Sequence, residues 1–177
     1  MDELLRLIYN IVRTGTISAV DYSAAAPRVR VKTGELETNW IPWLEYRAGT
    51  TKTWNPLTVG EQVIVFSPNG SLDEGFVLGA INSNNNPAPS SNRNHHMTRY
   101  PDGATFVYNH NTSTLSISGV SSINLNIGSS ININCPTIML NGSLIQTGGV
   151  VESNGVVLDS HVHTSVAPGP ANTGGPV

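Results

Sequence analysis

Charge is scarce in this chain, and one long stretch has none. Charged residues make up 12% of the 177 residues, against roughly a quarter in an average soluble domain. The stretch from Gly103 to Val151 contains no Lys, Arg, Asp or Glu. The formal net charge is -3, so the chain has no excess of positive charge with which to attract phosphates or an anionic membrane surface. We therefore predict no nucleic acid partner.

Cysteines and long hydrophobic runs are equally scarce. The single cysteine, Cys135, excludes an intramolecular disulfide, which fits assembly in a reducing cytoplasm. No apolar run approaches the length that a bilayer span requires, and no basic region precedes a hydrophobic stretch at the N-terminus. The sequence thus predicts neither a transmembrane helix nor a signal peptide.

Catalytic groups are also few in the second half of the chain. From Arg99 onward the only charged residues are Arg99, Asp102, Glu152 and Asp159. They form no acid pair, and neither a Ser-His-Asp spacing nor a phosphate-binding glycine loop is visible. The sequence therefore predicts that the protein is not an enzyme.

The charge-free stretch contains an eight-residue repeat of aliphatic side chains. Two series are in phase, namely Leu115, Ile123 and Ile131, and Ile117, Leu125 and Ile133. Ser and Asn alternate with them, which is the period of a β-strand with one apolar face. One chain supplies only two or three inward aliphatics per step, so we expect several identical chains, most simply three, to wind around a shared axis.

The repeat also bears on the role of Cys135, and the stretch has one alternative interpretation. Cys135 lies eight residues after Ile127, in phase with the aliphatics, and we interpret it as a small buried hydrophobe. The alternative for the whole stretch is a low-complexity Ser/Asn tract, either disordered or prone to aggregation. The fixed spacing of Ile and Leu over three successive steps favours the stacked strands.

The first half of the chain predicts a helix followed by a small barrel. Residues 2–12 carry apolar side chains at helical spacing, which gives an N-terminal helical segment at 1–14. Five short strands are predicted after it, at 16–20, 28–32, 39–44, 61–67 and 75–81. Five strands in so short a span indicate a barrel of the OB type over 15–81. Residues 82–94 have the composition of a linker, so a linker is predicted over 82–98 and a shaft over 99–160.

OB barrels often bind nucleic acid through stacking aromatics and a basic face. Candidate stacking residues are present, namely Trp40, Trp43, Tyr46 and Trp54. However, the barrel has five Lys or Arg residues against seven Asp or Glu residues. We therefore interpret the tryptophans as filling the barrel and its contacts with neighbours.

Two histidines near the C-terminus are the candidate metal ligands. His161 and His163 are two residues apart, so on a strand they point to the same side. Such a pair is weak evidence alone, but three chains would bring six imidazole nitrogens to one axis. Six nitrogen ligands suit iron(II) or nickel(II) better than tetrahedral zinc. His95, His96 and His110 lack such an arrangement and are predicted to be surface or linker histidines.

Several motifs together resemble the baseplate assembly protein V family, the central spikes of contractile-tailed phages with relatives in R-type bacteriocins. They are the N-terminal helix, the Val59–Val63 and Gly75–Ile81 segments of the barrel, Pro101-Asp102-Gly103, and the ending His161-Val162-His163 with Pro168-Gly169 and Asn172–Pro176. The resemblance implies a homotrimer with an OB collar attached to the tail hub and baseplate proteins, and a β-helical needle. It also implies an apex at 161–177, where His161 and His163 hold an iron ion on the trimer axis. Further axial ions, such as calcium or chloride, are compatible with this arrangement.

The expected fold is all-β, with an N-terminal OB-fold barrel followed by an intertwined trimeric β-helix that has a pointed C-terminal tip. The expected function is that of a central spike which pierces the outer membrane of a target bacterium. The alternative is a trimeric receptor-binding tip of a tail fibre. The expected location is the baseplate tip of a virion or bacteriocin particle, after assembly in the host cytoplasm.

Overall fold

The computed structural model describes residues 3–162 and Gly169, and these residues are mostly β. They form two compact units, one ending at Ile123 and the other beginning at Asn124. The elements of the first unit are α1 (Glu3–Asn10), β1 (Val12–Asp21), β2 (Arg28–Thr33), β3 (Leu36–Glu37), β4 (Gln62–Phe66), β5 (Phe76–Ile81), β6 (His95–Arg99), β7 (Thr105–Asn109) and β8 (Thr114–Ser118). The second unit contains β9 (Glu152–Ser153) and β10 (Val156–Val157).

The predicted barrel is present, and its core is made of β-branched residues. Its strands are antiparallel in the order β3-β2-β1-β4-β5. Every second residue of β2 and β4 points inward, as the two-residue period requires. Seven side chains are at most 1% exposed and form the core, namely Ile17, Val29, Val31, Ile41, Val63, Val65 and Val77. β-branched side chains fill this small interior with little loss of rotamer freedom.

The predicted strand at 39–44 is wrong, but the segment closes the barrel. On one side, Ile41 and Val29 exchange two main-chain hydrogen bonds of 2.9 Å. On the other side, the Val77 amide donates to the Pro42 carbonyl at 2.9 Å, and the Leu44 amide donates to Val77 at 2.8 Å. Pro42 has no N–H and cannot continue a ladder, so the segment makes isolated bridges to β2 and β5 in place of a regular strand.

The helix is shorter than predicted and the barrel begins earlier. α1 ends at Asn10, and Val12 already pairs with Phe66, so the boundary at residue 15 is placed too late. The buried Asn10 side chain accepts a hydrogen bond from Arg13 at 2.8 Å. Leu7 lies against the turn at Gly70, where an added Cβ would come within 2.5 Å of the Leu7 carbonyl oxygen. Only glycine fits there, since its φ of +69° is also unfavourable for other residues.

Part of the predicted linker is a strand. Residues 95–98 fall within the predicted linker, but they belong to β6, which pairs with β7 along its full length. β7 pairs in turn with β8, giving a three-stranded antiparallel sheet. The predicted turn at Asp102-Gly103 is confirmed, because the Asp102 carboxylate accepts the Ala104 amide at 3.0 Å and Gly103 has a φ of +90°. The Asn-rich flank and the two polar histidines concealed β6 in the sequence.

Residues 119–151, all of which the structure describes, form no helix or strand in the single chain. The aliphatic residues of the repeat are exposed there; Ile123, Leu125, Ile131 and Ile133 have exposed fractions of 56–67%. The trimeric β-helix therefore stays a prediction. Among the described residues, no helix has the length and apolar character that a membrane crossing needs.

Candidate functional site

The candidate metal site begins at a short hairpin that the sequence analysis missed. β9 and β10 pair across Asn154-Gly155, whose φ angles of +51° and +82° are those of a type I′ turn. The Asn-Gly dipeptide is the signal that could have predicted it. Beyond the hairpin, the Leu158 amide donates to Val151 at 2.9 Å and the His161 amide donates to Val157 at 3.0 Å. The chain thus turns sharply just before His161.

His161 is exposed, and its ring is oriented by the main chain. Nδ1 lies 3.0 Å from the Leu158 carbonyl oxygen, which can only accept a hydrogen bond. Nδ1 therefore carries the proton and the lone pair of the neutral ring is on Nε2. A carbonyl acceptor on the other ring nitrogen is the usual way to orient a metal-binding histidine. The residue thus fits the role of an Nε2 ligand to a first-row transition metal.

The structure does not bring a complete metal site together within one chain. His163 lies outside the described residues, so its position relative to His161 stays a prediction. His161 and Val162 are not in a strand, so the same-side argument lacks its structural premise there. Within residues 3–162, no three His, Cys, Asp or Glu side chains group closely enough to hold a metal ion. Cys135 is exposed in the single chain.

Two of the remaining histidines lie in a strand outside the candidate metal site. His95 and His96 lie in β6, and the His95 ring contacts Ser90 Oγ at 3.2 Å and Asn92 Nδ2 at 3.0 Å. These contacts attach the end of the linker to the first strand of the sheet. The prediction of surface or linker histidines is confirmed for His96 and His110, which are exposed, whereas His95 is partly buried in a strand.

The aromatic residues of the barrel divide into packing and surface roles. Trp43 packs against the core and contacts Trp54 and Tyr22, with ring centroids 5.8 Å and 6.4 Å away. Trp54 is 57% exposed and Tyr46 is 88% exposed. The interpretation of the tryptophans as barrel filling holds for Trp43. Trp54 and Tyr46 are exposed on the outside of the barrel, and we call the surface that they form the collar surface.

Glu45 is the organising polar residue of this collar surface, and the sequence analysis missed it. Its carboxylate accepts hydrogen bonds from Trp43 Nε1 at 3.1 Å, Thr53 Oγ1 at 2.8 Å, and the Asn55 amide and Nδ2 at 2.8 Å and 3.0 Å. Burial raises the pKa of Glu45, but the hydrogen bonds from Asn55, Thr53 and Trp43 outweigh it and lower the pKa to about 2. The ionised carboxylate therefore fixes the loop over residues 45–55.

This network predicts a pH dependence of collar stability. The pKa of Glu45 in the folded protein lies below the ordinary glutamate value of 4.5, so ionised Glu45 stabilises the fold above that pH, and this contribution is lost as the pH falls toward 2. We expect Glu45→Gln to lower the free energy of unfolding by about 1–2 kcal/mol at neutral pH, because the carboxylate is only half-buried. The difference from the parent should shrink below pH 4.5, measured by urea unfolding with tryptophan fluorescence.

Glu35→Gln is the matched control, since Glu35 is an exposed acid of the same barrel. This variant should leave the urea midpoint of unfolding equal to that of the parent, both at neutral pH and below pH 4.5. A constant difference between Glu45→Gln and the parent from neutral to acidic pH would contradict the role assigned to the charge.

Comparison with known proteins matches both ends of the chain. Residues 13–81 match the family model of the type VI secretion system/phage-baseplate injector OB domain, and residues 155–177 match the GpV Apex motif. The chain is also similar to the spike protein of Escherichia phage P2. The two are 34% identical over 209 aligned positions, which cover 100% of this chain and 97% of that protein.

An injector-type OB domain at one end and an apex motif at the other define a class, the injector components of phage baseplates. Because the likeness to the P2 protein extends over the full length, the chain belongs to the family of phage tail baseplate spike proteins. This family is structural and generally non-enzymatic. As a baseplate component, the chain associates with baseplate proteins.

Proposed function

We propose that the protein is a homotrimeric central spike that pierces the outer membrane of a target bacterium. The single observation that carries the proposal is the exposed, in-phase repeat of the charge-free segment. Leu125 is 67% exposed and Ile133 is 65% exposed, at equivalent positions of successive steps. Leaving such side chains in water forfeits about 1.5–3 kcal/mol each, so burial between chains is strongly favoured.

Three copies are the simplest closed arrangement. Each step of about eight residues provides one short strand and a corner, and three strands around an axis enclose a triangular prism with a dry interior. The Ser and Asn residues that alternate with the aliphatics then form the outer surface. A shared interior of this kind resists bending, because each chain's core is completed by the other two.

The outer surface of such a shaft suits passage through a membrane. It offers no ionised side chain between Gly103 and Val151, and a charge inside hydrocarbon costs several kcal/mol. Its aliphatics would be enclosed, so they would not adhere to lipid. Hydroxyl and amide groups keep it soluble before use.

The collar supplies attachment to the tail hub in this proposal. An apolar groove at the edge of β5 is lined by Leu44, Tyr46 and Leu78, whose exposed fractions are 61%, 88% and 40%. Exposed apolar surface of this kind marks contact sites for other proteins. The Glu45 network holds the groove in a fixed shape, which lowers the entropic cost of binding.

An iron ion would close the apex. His161, with Nδ1 bonded to Leu158 and the lone pair on Nε2, has the donor chemistry for it, and three copies of His161 and His163 would provide six nitrogens. When bound, the ion would add ligand bonds that hold the three chains together at the tip. The apex would then resist splaying under load.

The test of piercing uses particles whose spike ends at Ser160. We expect them to attach to cells as the parent does, but to deliver their contents or kill less efficiently, because the blunt end spreads the contraction force. Electron microscopy must first show that the spike is present in both kinds of particle. If truncated particles attach, contract and penetrate as well as the parent, the apex is not a piercing device, and a receptor-binding tip becomes the better description.

A further inference from the structure

The ring of His95 holds the end of the linker to β6. Ser90 Oγ lies 3.2 Å from His95 Nδ1, and Asn92 Nδ2 lies 3.0 Å from His95 Nε2, so both ring nitrogens are engaged. Ser90 and His95 are half-buried. Nearer its start the linker is attached to the barrel, because Asn86 Nδ2 donates to the Gly60 carbonyl oxygen at 2.9 Å. The linker is therefore attached at two points.

The hydrogen bonds around the ring require His95 to be neutral. Asn92 Oδ1 accepts the Asn94 amide at 3.0 Å, which orients the Asn92 side chain with its Nδ2 toward the ring. Since Nδ2 can only donate, Nε2 must carry a lone pair, and the proton of the neutral ring is then on Nδ1. Nδ1 donates to Ser90 Oγ, which also accepts the Asn92 amide at 3.1 Å. Every contact of the ring is satisfied in this state.

Protonation of His95 removes one of these hydrogen bonds. In the charged ring both nitrogens carry a proton, so Nε2 would face the NH2 group of Asn92 donor to donor. Turning the Asn92 amide over would offer its oxygen to the ring, but the Asn94 amide would then lose its acceptor. One hydrogen bond is lost in either case. Histidine is the side chain whose charge ordinarily changes between about pH 5 and 8, so mild acid is enough to cause this loss.

The surrounding elements offer the charged ring no acid. The residues aligned with His95 are Asn109 on β7 and Thr114 on β8, and both are uncharged. Within residues 3–162, no carboxylate lies within ion-pair distance of the ring. The charged or titratable residues of the adjoining turns and of the same side of β6 are cations or histidine, namely Arg93, Arg99 and His110. Acid therefore costs a hydrogen bond and creates no ion pair in return.

We propose that Ser90, Asn92 and His95 form a pH-sensitive latch, which joins the linker to the sheet at neutral pH and opens in mild acid. The contact of Asn86 with Gly60 contains no titratable group, so the attachment of the linker to the barrel does not change. The sheet also stays intact, since β6 and β7 are joined by main-chain hydrogen bonds. Acid therefore loosens one joint of the chain and leaves the elements on both sides folded. This inference is independent of the proposed spike function.

The test is amide hydrogen exchange of the full-length protein at about pH 7.5 and about pH 5. Exchange is expressed as protection relative to an unfolded chain at the same pH, which removes the intrinsic pH dependence of the reaction. We expect protection of the Asn92 and Asn94 amides, which donate within the latch, to fall about fivefold in acid, as the loss of one hydrogen bond predicts. Protection of β7 should not change.

Three variants separate the charge of His95 from its packing. His95→Gln keeps an uncharged oxygen that can accept from Asn92, so its protection should be the same at both pH values. His95→Lys carries a positive charge at neutral pH and should already show the low protection of the acid state. His96→Gln is the matched control, because His96 points to the opposite face of the sheet, and it should respond to acid as the parent does.

Two results would overturn the latch. One is equal protection of the parent's Asn92 and Asn94 amides at both pH values. The other is an acid-induced loss of protection that persists in His95→Gln, which would show that acid acts through another group. Tryptophan fluorescence of the barrel should be the same in all variants, which distinguishes opening of the latch from unfolding of the barrel.

Discussion

Leu125→Asp is expected to abolish assembly of the protein. Leu125 lies in the middle of the second aliphatic series and is 67% exposed in the single chain. In the proposed prism, three copies would bring three carboxylates into an apolar interior, where an unpaired charge costs several kcal/mol. Light scattering of the variant should show monomer or aggregate in place of trimer.

The matched control is Asn126→Asp, one residue further along. The two-residue period directs Asn126 outward, where a carboxylate remains in water. This variant should assemble as the parent does. If Leu125→Asp yields soluble trimer at the parent's level, the phase assignment of the shaft is wrong.

Removing both apex histidines is expected to remove the metal completely. His161→Ala with His163→Ala deletes all six proposed nitrogen ligands, so elemental analysis should fall from one transition metal ion per three chains to none. The trimer should persist, because its apolar interior is extensive and the metal secures only the tip. Hydrogen exchange should rise in the residues after Val157 and stay unchanged in the barrel.

His95→Ala with His110→Ala is the control for nonspecific histidine binding, since both residues belong to the β6-β8 region of the first unit. It should retain the metal in full. Stoichiometric metal in the His161/His163 variant would place the ion elsewhere in the assembly.

The barrel could be predicted from the sequence because its strands and turns are marked by residues that are close together along the chain. Val29 and Val31 in β2 alternate with charged neighbours, Val63 and Val65 in β4 recur at the two-residue period of a strand, and Asn69-Gly70 marks the turn that follows β4. The isolated bridges that the segment around Pro42 makes to β2 and β5 could not be predicted from the sequence. Its apolar residues are typical of a strand, but the missing N–H of proline limits it to bridges.

The other failures have different physical causes. β6 was missed because its stability comes from pairing with β7, whereas its own polar residues resemble the linker before them. The Glu45 network joins residues that are ten positions apart through a loop, and no local spacing indicates it. For the shaft and apex, the single chain does not test the sequence pattern, because in the proposed trimer their core and metal ligands would come from three chains.

The mass of the purified full-length protein in solution tests the central claim most directly. The shaft's aliphatics are exposed in one chain and are in phase with a repeat, so closure by copies of the same chain is the core of this account. Light scattering coupled to size separation should give about 56 kDa, three times the 18.8 kDa of one chain, over a range of dilutions. A stable, folded species at 18.8 kDa would contradict it.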